Sequence, residues 1–312
     1  MQKGIVMPIK IPNALPATRA LENENIFVMT ENRALQQDIR PLKIVILNLM
    51  PTKIATETQL LRLLGNTPLQ IEVELMQTAT YQSKNVSPEH LLSFYKTFDE
   101  IKQNRYDGLI VTGAPVENME FEEVAYWDEL CEILDWADKN VYSTFHICWG
   151  AIAGLYHKYN IKKSISTKKL FGVFEHETLI KTHPLLRGFD DTFFAPHSRY
   201  FRLENEEVLA AGLDVLTFSG ETGVHICADR KCRNFFVTGH GEYDRHTLAN
   251  EYERDVNAGM NTAKPVQYFP NDDPRRLPVM NWRAHSSLMF SNWINYIVYQ
   301  RTPYDLSELN VD

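Results

Sequence analysis

The chain has 312 residues, of which 44% are hydrophobic and 23% charged, and it is long enough for one large α/β domain or two smaller ones. Acidic residues outnumber basic ones by 40 to 32, and the net charge of −8 argues against duplex nucleic acid as a partner. The four cysteines stand at irregular spacings that do not form a disulfide framework. No apolar run reaches the ~20 residues of a membrane span and no signal-peptide core is present, so the chain is expected to be cytoplasmic.

The first forty residues are mixed and polar, and Pro8, Pro12 and Pro16 exclude a continuous helix there. We predict that residues 1–40 form an N-terminal arm that wraps over the core. The rest of the chain shows no internal repeat and no linker-like shift in composition. Residues 41–312 are therefore predicted to form a single α/β domain.

Between residues 41 and 158, short β-branched segments alternate with amphipathic stretches. Helix boundaries are marked by proline at a first position, as at Pro88, and by glycine at an end, as at Gly65. The predicted strands are Lys43–Leu49, Ile71–Met76, Tyr106–Thr112 and Val141–Ile147, and helices are predicted to begin near Pro51, Pro88, Glu123 and Trp149. Strands that alternate with helices indicate right-handed βαβ units and a parallel sheet covered on both faces.

Beyond Lys163 the predicted strands are shorter and have the character of antiparallel ones. They cover Leu170–Glu175, Thr192–Ala195, Val215–Ser219, Val224–Ala228 and Asn234–Thr238, and helices are predicted over about 247–259 and 282–299. The predicted fold class is α/β, with a mostly parallel sheet that is flanked by helices and carries inserted β-hairpins.

The most informative segment is an apolar strand that runs into Cys148 and is followed by Trp149, Gly150 and a helix. This strand–turn–helix order is typical of a nucleophile elbow, which projects a side chain from the carboxyl edge of the sheet. The helix N-terminus favours the thiolate over the thiol, and the Trp149 backbone N–H is placed to donate to an oxyanion. The alternative is a buried structural cysteine, and this segment alone does not decide between the two.

A base and an acid for this nucleophile follow a later strand. The segment Asn234–Thr238 leads into a turn in which His240 lies between two glycines and Glu242 follows the second of them. In an extended chain these two side chains point to the same side, so that the carboxylate can orient the imidazole as in a Cys–His–acid triad. The alternative is that both are ordinary loop residues.

A third element is the buried strand that ends in Thr112–Pro115. Backbone N–H groups beyond such a strand lie at the edge where open α/β sheets bind ligands. We predict that this loop supplies the second oxyanion donor, the N–H of Val116; the alternative is an ordinary βα turn.

Other chemically interesting residues are assigned structural roles. Cys227 and Cys232 have no Cys/His pair at ligand spacing, so no metal site is predicted. His146, two residues before the nucleophile, is expected to be a core or wall residue. A group of lysines is expected to be mostly solvated, although one of them can pair with a substrate carboxylate: Lys162, Lys163, Lys168 and Lys169.

Taken together, the chain resembles the homoserine O-acyltransferases of methionine biosynthesis, a family with a flavodoxin-like, class I glutamine amidotransferase-like fold. The matching stretches are 7–12 (MPIKIP), 47–53 (LNLMPTK), 108–115 (GLIVTGAP), 124–127 (VAYW), 148–150 (CWG), 169–174 (KLFGVF), 196–199 (PHSR) and 239–243 (GHGEY). They occur in the family's order over nearly the whole chain, which makes the resemblance highly specific.

The resemblance implies the role of each catalytic residue. Cys148 forms the acyl-thioester, His240 is the proton acceptor and Glu242 completes the catalytic set. Three further positions that contact substrate in the family match Lys169, Ser198 and Arg254.

These three side chains suit an amino-acid acceptor. Its carboxylate can pair with Lys169 or Arg254, and Ser198 can bond to the acceptor or to the acyl group. Without the resemblance, Arg254 would be interpreted as a surface residue that pairs with Glu251 or Asp255.

The acyl group is predicted from Glu117, which stands where succinyl-using members of the family have glycine. A carboxylate there takes up volume and repels the free carboxylate of a succinyl group, whereas an acetyl group is small and uncharged. Glu117 and Ser198 are therefore expected to set the acyl specificity. The sequence predicts a homoserine O-acetyltransferase that uses acetyl-CoA as co-substrate and no bound cofactor; a homoserine O-succinyltransferase is the alternative.

Two other classes remain open. A glutaminase shares the fold and the triad, but usually has glycine at the position of His146. A sensor whose Cys148 is oxidised would leave the His240–Glu242 pair unexplained. By resemblance, the expected partners are L-homoserine, acetyl-CoA and a second copy of the chain in a homodimer, with neither nucleic acid nor membrane.

Overall fold

The computed structural model describes residues 9–11, 15–23, 28–30, 40–80 and 86–309. The strands of these residues are β1 (Ile9–Ile11), β2 (Val28–Thr30), β3 (Leu42–Leu47), β4 (Ile71–Met76), β5 (Tyr95–Lys96), β6 (Tyr106–Val111), β7 (Val141–Ile147), β8 (Ser164–Thr178), β9 (Thr192–Arg202), β10 (Asp214–Ser219), β11 (Gly223–Ala228) and β12 (Asn234–Val237). The α-helices are α1 (Ala17–Asn23), α2 (Lys53–Leu64), α3 (Pro88–Phe94), α4 (Phe98–Ile101), α5 (Trp127–Asn140), α6 (Trp149–Tyr159), α7 (Asn205–Ala210), α8 (Thr247–Asn257) and α9 (Arg283–Asn292). A π-helical segment continues α9, and four short 3₁₀ turns complete the helices: Trp293–Tyr299, and then Phe121–Glu123, Pro184–Leu186, Pro270–Asp272 and Leu306–Glu308.

All of these strands join one sheet, in the order β2-β1-β4-β3-β6-β7-β12-β11-β10-β8-β9, with β5 beside β4. Neighbours are parallel from β2 to β12 and antiparallel from β12 to β9. The predicted fold class, a mostly parallel sheet with an antiparallel extension, is confirmed.

Strand β12 corrects the expectation that every strand beyond Lys163 is antiparallel. It lies parallel to β7, with Val237 opposite Ile147, and antiparallel to β11. Strand direction depends on the neighbour that a strand meets in the sheet, so the side chains of β12 alone do not reveal it. Because β7 and β12 are parallel neighbours, the residues that follow them emerge side by side at one edge.

Strands β8 and β9 are much longer than predicted and pair with each other in an antiparallel hairpin. The prediction of Leu170–Glu175 missed the exposed first half of β8, where serine, threonine and lysine hide the β pattern. Likewise, β9 continues past Ala195 through a polar stretch. This extension places Lys169 and Ser198 on paired strands rather than in loops.

The π-helical segment lies against β6 and β7, and α9 before it packs on β9 and α2. The Trp293 indole Nε1 donates to Ser143 Oγ at 2.9 Å, and a Cβ added at Gly108 would lie 2.8 Å from this indole. Gly108 is therefore needed for the close approach of the tryptophan.

The described part of residues 1–40 contacts the same sheet. Strand β1 pairs with β4, and Leu15, Ala17 and Leu21 are buried in the main hydrophobic core. The division into an arm and a single domain stays a prediction. No helix within the described ranges combines the length and the apolar composition needed to cross a bilayer.

Candidate active site

Cys148 occupies a sharp turn between β7 and α6. Its φ of 50° and ψ of −113° lie outside the ordinary regions for a residue with a side chain, which is a backbone conformation that costs free energy and is common at functional sites. A Cβ at Gly150 would lie 2.6 Å from the Thr112 carbonyl oxygen, so the helix can start this close to β6 only with glycine there. The strand–turn–helix geometry predicted for the elbow is present.

The parallel pairing of β7 with β12 brings the second predicted segment beside the first. The Cys148 N–H donates to the Val237 carbonyl at 2.7 Å, which extends the ladder by one residue. Three residues after Val237, the His240 N–H donates to the Pro196 carbonyl of β9 at 2.8 Å. Two independent elements therefore fix the backbone of His240 next to Cys148.

The His240 imidazole is held on three sides. Its Nδ1 donates to Glu242 Oε1 at 2.6 Å, and its ring stacks on Tyr243 with centroids 4.1 Å apart. Its remaining nitrogen is the one available for the hydrogen bond to Cys148. Burial opposes a positive charge on this ring, but the Cys148 thiolate and the Glu242 carboxylate together raise the pKa of His240 well above its usual value.

Gly113 lies against the side chains of both Cys148 and His240. A Cβ at this position would be 3.2 Å from the Cys148 Cβ and 3.6 Å from the His240 Cε1. Neither of the two predicted oxyanion donors is among the residues that line the cavity beside Cys148: Trp149 is the first residue of α6, and Val116 packs against the core. Their roles as donors stay predictions, and Gly113 is the loop residue that packs on the Cys148 side chain.

A cavity of about 1020 Å³ opens above Cys148. Its walls come from the ends of β6, β7 and β12, from the hairpin of β8 and β9, and from α2 and α8. It brings together seven of the predicted site residues: Glu117, Cys148, Lys169, Ser198, His240, Glu242 and Arg254.

One carboxylate, Glu251 of α8, organises one wall of the cavity. It accepts hydrogen bonds from Ser198 Oγ at 2.5 Å and from the Tyr243 hydroxyl at 3.1 Å. Lys169 Nζ lies 3.6 Å from it and 3.5 Å from Asp255. From the sequence, Glu251 and Asp255 were expected only as surface partners of Arg254. Their i, i+4 spacing on an amphipathic helix is the signal that they share a face.

Arg254 was predicted either to contact substrate or to form a surface ion pair, and its position agrees with both. Its side chain is 67% exposed and pairs with Asp255, with Nη2 2.6 Å and Nε 2.9 Å from Oδ1. At the same time, Arg254 lines the cavity. Because the partner carboxylate is adjacent in sequence and the guanidinium is exposed, the side chain can swing toward a ligand at little cost.

Glu117 projects into the cavity from the loop after β6. The Tyr200 N–H donates to its Oε2 at 3.1 Å, and no Lys or Arg of the described residues lies within ion-pair distance of it. Burial raises the pKa of Glu117, against the opposing effects of the Tyr200 N–H and of the charges on Arg199 and Lys169.

Three buried histidines, His176, His197 and His225, lie behind the His240 loop with ring nitrogens within 4.8 Å of one another. Arg199 Nε donates to His197 Nδ1 at 3.1 Å, so a neutral His197 carries its proton on Nε2, which lies 3.0 Å from the His176 Nε2. That proton occupies the lone pair that a metal ion would need, and the adjacent guanidinium repels a cation. We interpret the cluster as a hydrogen-bonded layer.

This layer supports the loop that carries His240. A Cβ at Gly239 would lie 2.7 Å from the His225 Cε1 and 2.9 Å from the His197 Cε1, so the rings pack directly on the glycine. Arg199, which is fully buried, also donates to the Thr238 hydroxyl at 3.3 Å. Burial lowers the pKa of Arg199 to about 10, at which it keeps its charge near neutral pH.

His146 is a core residue, as expected. It is fully buried and stacks on Phe236 with centroids 4.7 Å apart, and burial lowers its pKa to about 3. One of the lysines expected in solvent is instead largely buried: the Lys163 side chain is 5% exposed and lies over the Phe121 ring.

The fold and this site define the class of protein. Solved structures with a similar fold include a glutamine amidotransferase from Thermotoga maritima, with a TM-score of 0.53 and 10% identity over 84% of this chain and all of that one. Another is a glutamine amidotransferase from Methylobacillus flagellatus, with a TM-score of 0.52 and 12% identity over 83% of this chain and 96% of that one. The class I glutamine amidotransferase-like fold is confirmed.

The chain belongs to the homoserine O-acyltransferase family: a family model described as homoserine O-succinyltransferase matches residues 8–304. It is 60% identical over 304 residues to a homoserine O-acetyltransferase of Acetivibrio thermocellus, and the alignment covers 97% of this chain and 100% of the relative. It is also 56% identical over 305 residues to a homoserine O-acetyltransferase of Petrotoga mobilis, and that alignment covers 97% of this chain and 99% of the relative. The resemblance found in the sequence is confirmed.

Proposed function

We propose that the protein transfers an acetyl group from acetyl-CoA to the hydroxyl of L-homoserine through an acyl-Cys148 intermediate. The observation that carries this proposal is the presence of the Glu117 carboxylate in the same cavity as the Cys148–His240–Glu242 arrangement. The names of the relatives at 54–60% identity support it.

In the first half-reaction, the Cys148 thiolate attacks the thioester carbonyl of the donor. The bond from Sγ to the acyl carbon forms and the bond to the CoA sulfur breaks, and CoA takes a proton from the His240 imidazolium as it leaves. The tetrahedral oxyanion is stabilised by backbone N–H groups, for which Trp149 and the Gly113 segment are the candidates. Because one thioester replaces another, the intermediate is close in free energy to the reactants.

In the second half-reaction, His240 takes the proton of the homoserine hydroxyl. The oxygen bonds to the acyl carbon while the bond to Sγ breaks, which regenerates the thiolate and the imidazolium. Glu242 fixes the ring so that Nδ1 stays protonated and the other nitrogen faces the reacting atoms.

The acceptor is an amino acid with both charges, and the cavity wall offers a partner for each. Its carboxylate fits Lys169 or Arg254, and Ser198 can donate a hydrogen bond to it. Its ammonium group needs an acceptor, which Glu251 supplies in the same group of side chains. When homoserine binds, these new pairs replace the contacts of Lys169 with Glu251 and Asp255.

Donor choice is assigned to Glu117, with Ser198 as a second contributor. A succinyl group would bring a second carboxylate against Glu117 in a partly desolvated site, and like charges in such a setting cost several kcal/mol. An acetyl group meets no such repulsion.

The decisive experiment is a competition between acetyl-CoA and succinyl-CoA at equal concentration, with homoserine as acceptor. O-acetylhomoserine is expected as the main product; a preference for succinyl-CoA would return the assignment to the succinyltransferase alternative. Initial rates should give parallel double-reciprocal lines, and mass spectrometry should find an acetyl adduct on Cys148. Intersecting lines without an adduct would contradict the two-step mechanism.

A glutaminase remains the second candidate because the similar solved structures are glutamine amidotransferases. Glutamine hydrolysis, measured with and without homoserine, is expected to be absent. We also propose that the protein acts as a homodimer, for which sedimentation equilibrium at micromolar concentration is the direct measurement.

A further inference from the structure

The loop that carries Glu117 has few hydrogen bonds of its own. It leaves β6 after Val111 and ends at the 3₁₀ turn Phe121–Glu123. Within its outer part, the Met119 N–H donates to the Val116 carbonyl at 3.1 Å. Among the described residues, the Tyr200 N–H is the one hydrogen-bond partner of the Glu117 carboxylate, so the position of this acid depends on what fixes the loop backbone.

Lys163 fixes it. This residue lies just before β8, and its Nζ donates to the Glu117 carbonyl at 3.2 Å and also to the Met119 carbonyl. The ammonium lies 3.9 Å from the Glu120 carboxylate and 4.9 Å from the centroid of the Phe121 ring. One buried cation therefore joins two loop carbonyls to the chain segment that follows the nucleophile helix.

The exposure of the lysine shows that these contacts define its position. Its side chain is only 5% exposed, although lysine is a residue that normally keeps its ammonium in water. Burial of an ammonium costs free energy unless several acceptors replace its hydration, and here the carbonyls do so. The neighbouring Lys162 is exposed.

We propose that Lys163 is a specificity-determining positioning residue, which acts through Glu117 by fixing the loop so that the carboxylate stays in the acyl pocket. This inference rests on the proposed donor selectivity of Glu117. Loss of the ammonium would free both carbonyls, so that the loop backbone is no longer fixed and the carboxylate can move away from the acyl group. Succinyl-CoA would then be excluded less strongly.

The test compares Lys163→Met with Lys162→Met by the ratio of kcat/KM for acetyl-CoA to kcat/KM for succinyl-CoA. Methionine keeps the apolar stem over Phe121 and deletes the donors. The ratio is expected to fall about tenfold in Lys163→Met, a factor typical of the loss of one charge-assisted hydrogen bond, and to stay unchanged in Lys162→Met. A purely structural role would lower both values together and leave the ratio as it was.

A double variant separates this inference from the proposed function. In a Glu117→Gly background, Lys163→Met should leave the ratio unchanged, because the group through which it acts is absent. An equal shift in both backgrounds, or no shift in either, would overturn the role of Lys163. If Glu117→Gly by itself does not change the ratio, the proposed function of Glu117 fails instead.

A second variant covers the case in which Lys163→Met does not fold. Lys163→Gln keeps an N–H donor and should lower the ratio in the same direction by a smaller factor. An unchanged ratio in Lys163→Gln would equally contradict the proposal.

Discussion

The Nδ1 atom of His240 and the Oε1 atom of Glu242 lie 2.6 Å apart, although the two residues are separated by only one glycine. So short a loop can present both side chains to each other because the His240 N–H is anchored on β9 and its ring is stacked on Tyr243. The acid therefore orients a base that is already fixed by its surroundings. This arrangement determines how the catalytic residues should differ in their contributions.

Replacement of the nucleophile should abolish turnover. We expect Cys148→Ala to have no measurable acyltransferase activity and no acyl adduct by mass spectrometry, with an unchanged circular dichroism spectrum. The matched control is Cys131→Ala, a half-buried cysteine of α5 outside the cavity, which should keep full activity. Substantial turnover in Cys148→Ala would show that the nucleophile is misassigned.

The base should matter more than the acid that orients it. His240→Ala should lose about 10³-fold or more in kcat, and Glu242→Ala less, because an orienting group contributes less than the base itself. Glu242→Ala also removes a carboxylate that raises the pKa of His240, so that pKa should fall. The measurement is the pH profile of kcat, and its low-pH limb should move to lower pH in Glu242→Ala. A larger loss for Glu242→Ala than for His240→Ala would contradict these roles.

The acceptor wall should control the KM for homoserine. Glu251→Gln and Arg254→Ala should each raise it about tenfold with a smaller change in kcat, since each deletes one charged partner of the amino acid. Glu253→Gln, on the exposed side of the same helix, is the control and should behave as wild type. An unchanged KM for Arg254→Ala would leave this residue as a surface partner of Asp255.

Donor selection should depend on pH. Because burial raises the pKa of Glu117, its carboxylate takes up a proton at a higher pH than an ordinary glutamate, and the repulsion of a succinyl group weakens as the pH falls. The preference for acetyl-CoA should therefore decrease toward acidic pH in wild type. In Glu117→Gln it should be independent of pH, and partial succinyl activity there would show that charge rather than bulk is responsible. A flat wild-type profile would argue for bulk.

Stability should fall in acid because several histidines are buried without charge. Burial lowers the pKa of five of them: His146, His176, His183, His197 and His225. Below about pH 6.5, the unfolded chain binds protons that the folded chain does not, and each such group costs about 1.4 kcal/mol per pH unit. His240, whose pKa is raised, has the opposite effect only above about pH 6.5, where the folded chain keeps a proton that the unfolded chain loses.

This dependence can be measured by urea unfolding between pH 7.5 and 5.5. His146→Gln should make the slope of the unfolding free energy against pH shallower by about one proton relative to wild type. His157→Gln, at a partly exposed position, is the matched control. An unchanged slope in His146→Gln would mean that this ring is charged in the folded protein.

Local patterns in the sequence were enough to predict the α/β class, the four parallel strands between residues 42 and 147, and the segments that carry Cys148, His240 and Glu242. These follow from local signals, since strand apolarity, helix-start residues and glycine-flanked turns are written in adjacent positions. Which strands became neighbours depended on long-range packing, which no local pattern encodes. The parallel contact of β12 with β7 set the distance between base and nucleophile, and the β8–β9 hairpin brought Ser198 and Lys169 to Glu251 of a distant helix. The burial of Lys163 could not be predicted from the sequence either. The carbonyls that accept its hydrogen bonds lie more than forty residues away in the chain, and they meet the lysine only because the loop packs beside the start of β8.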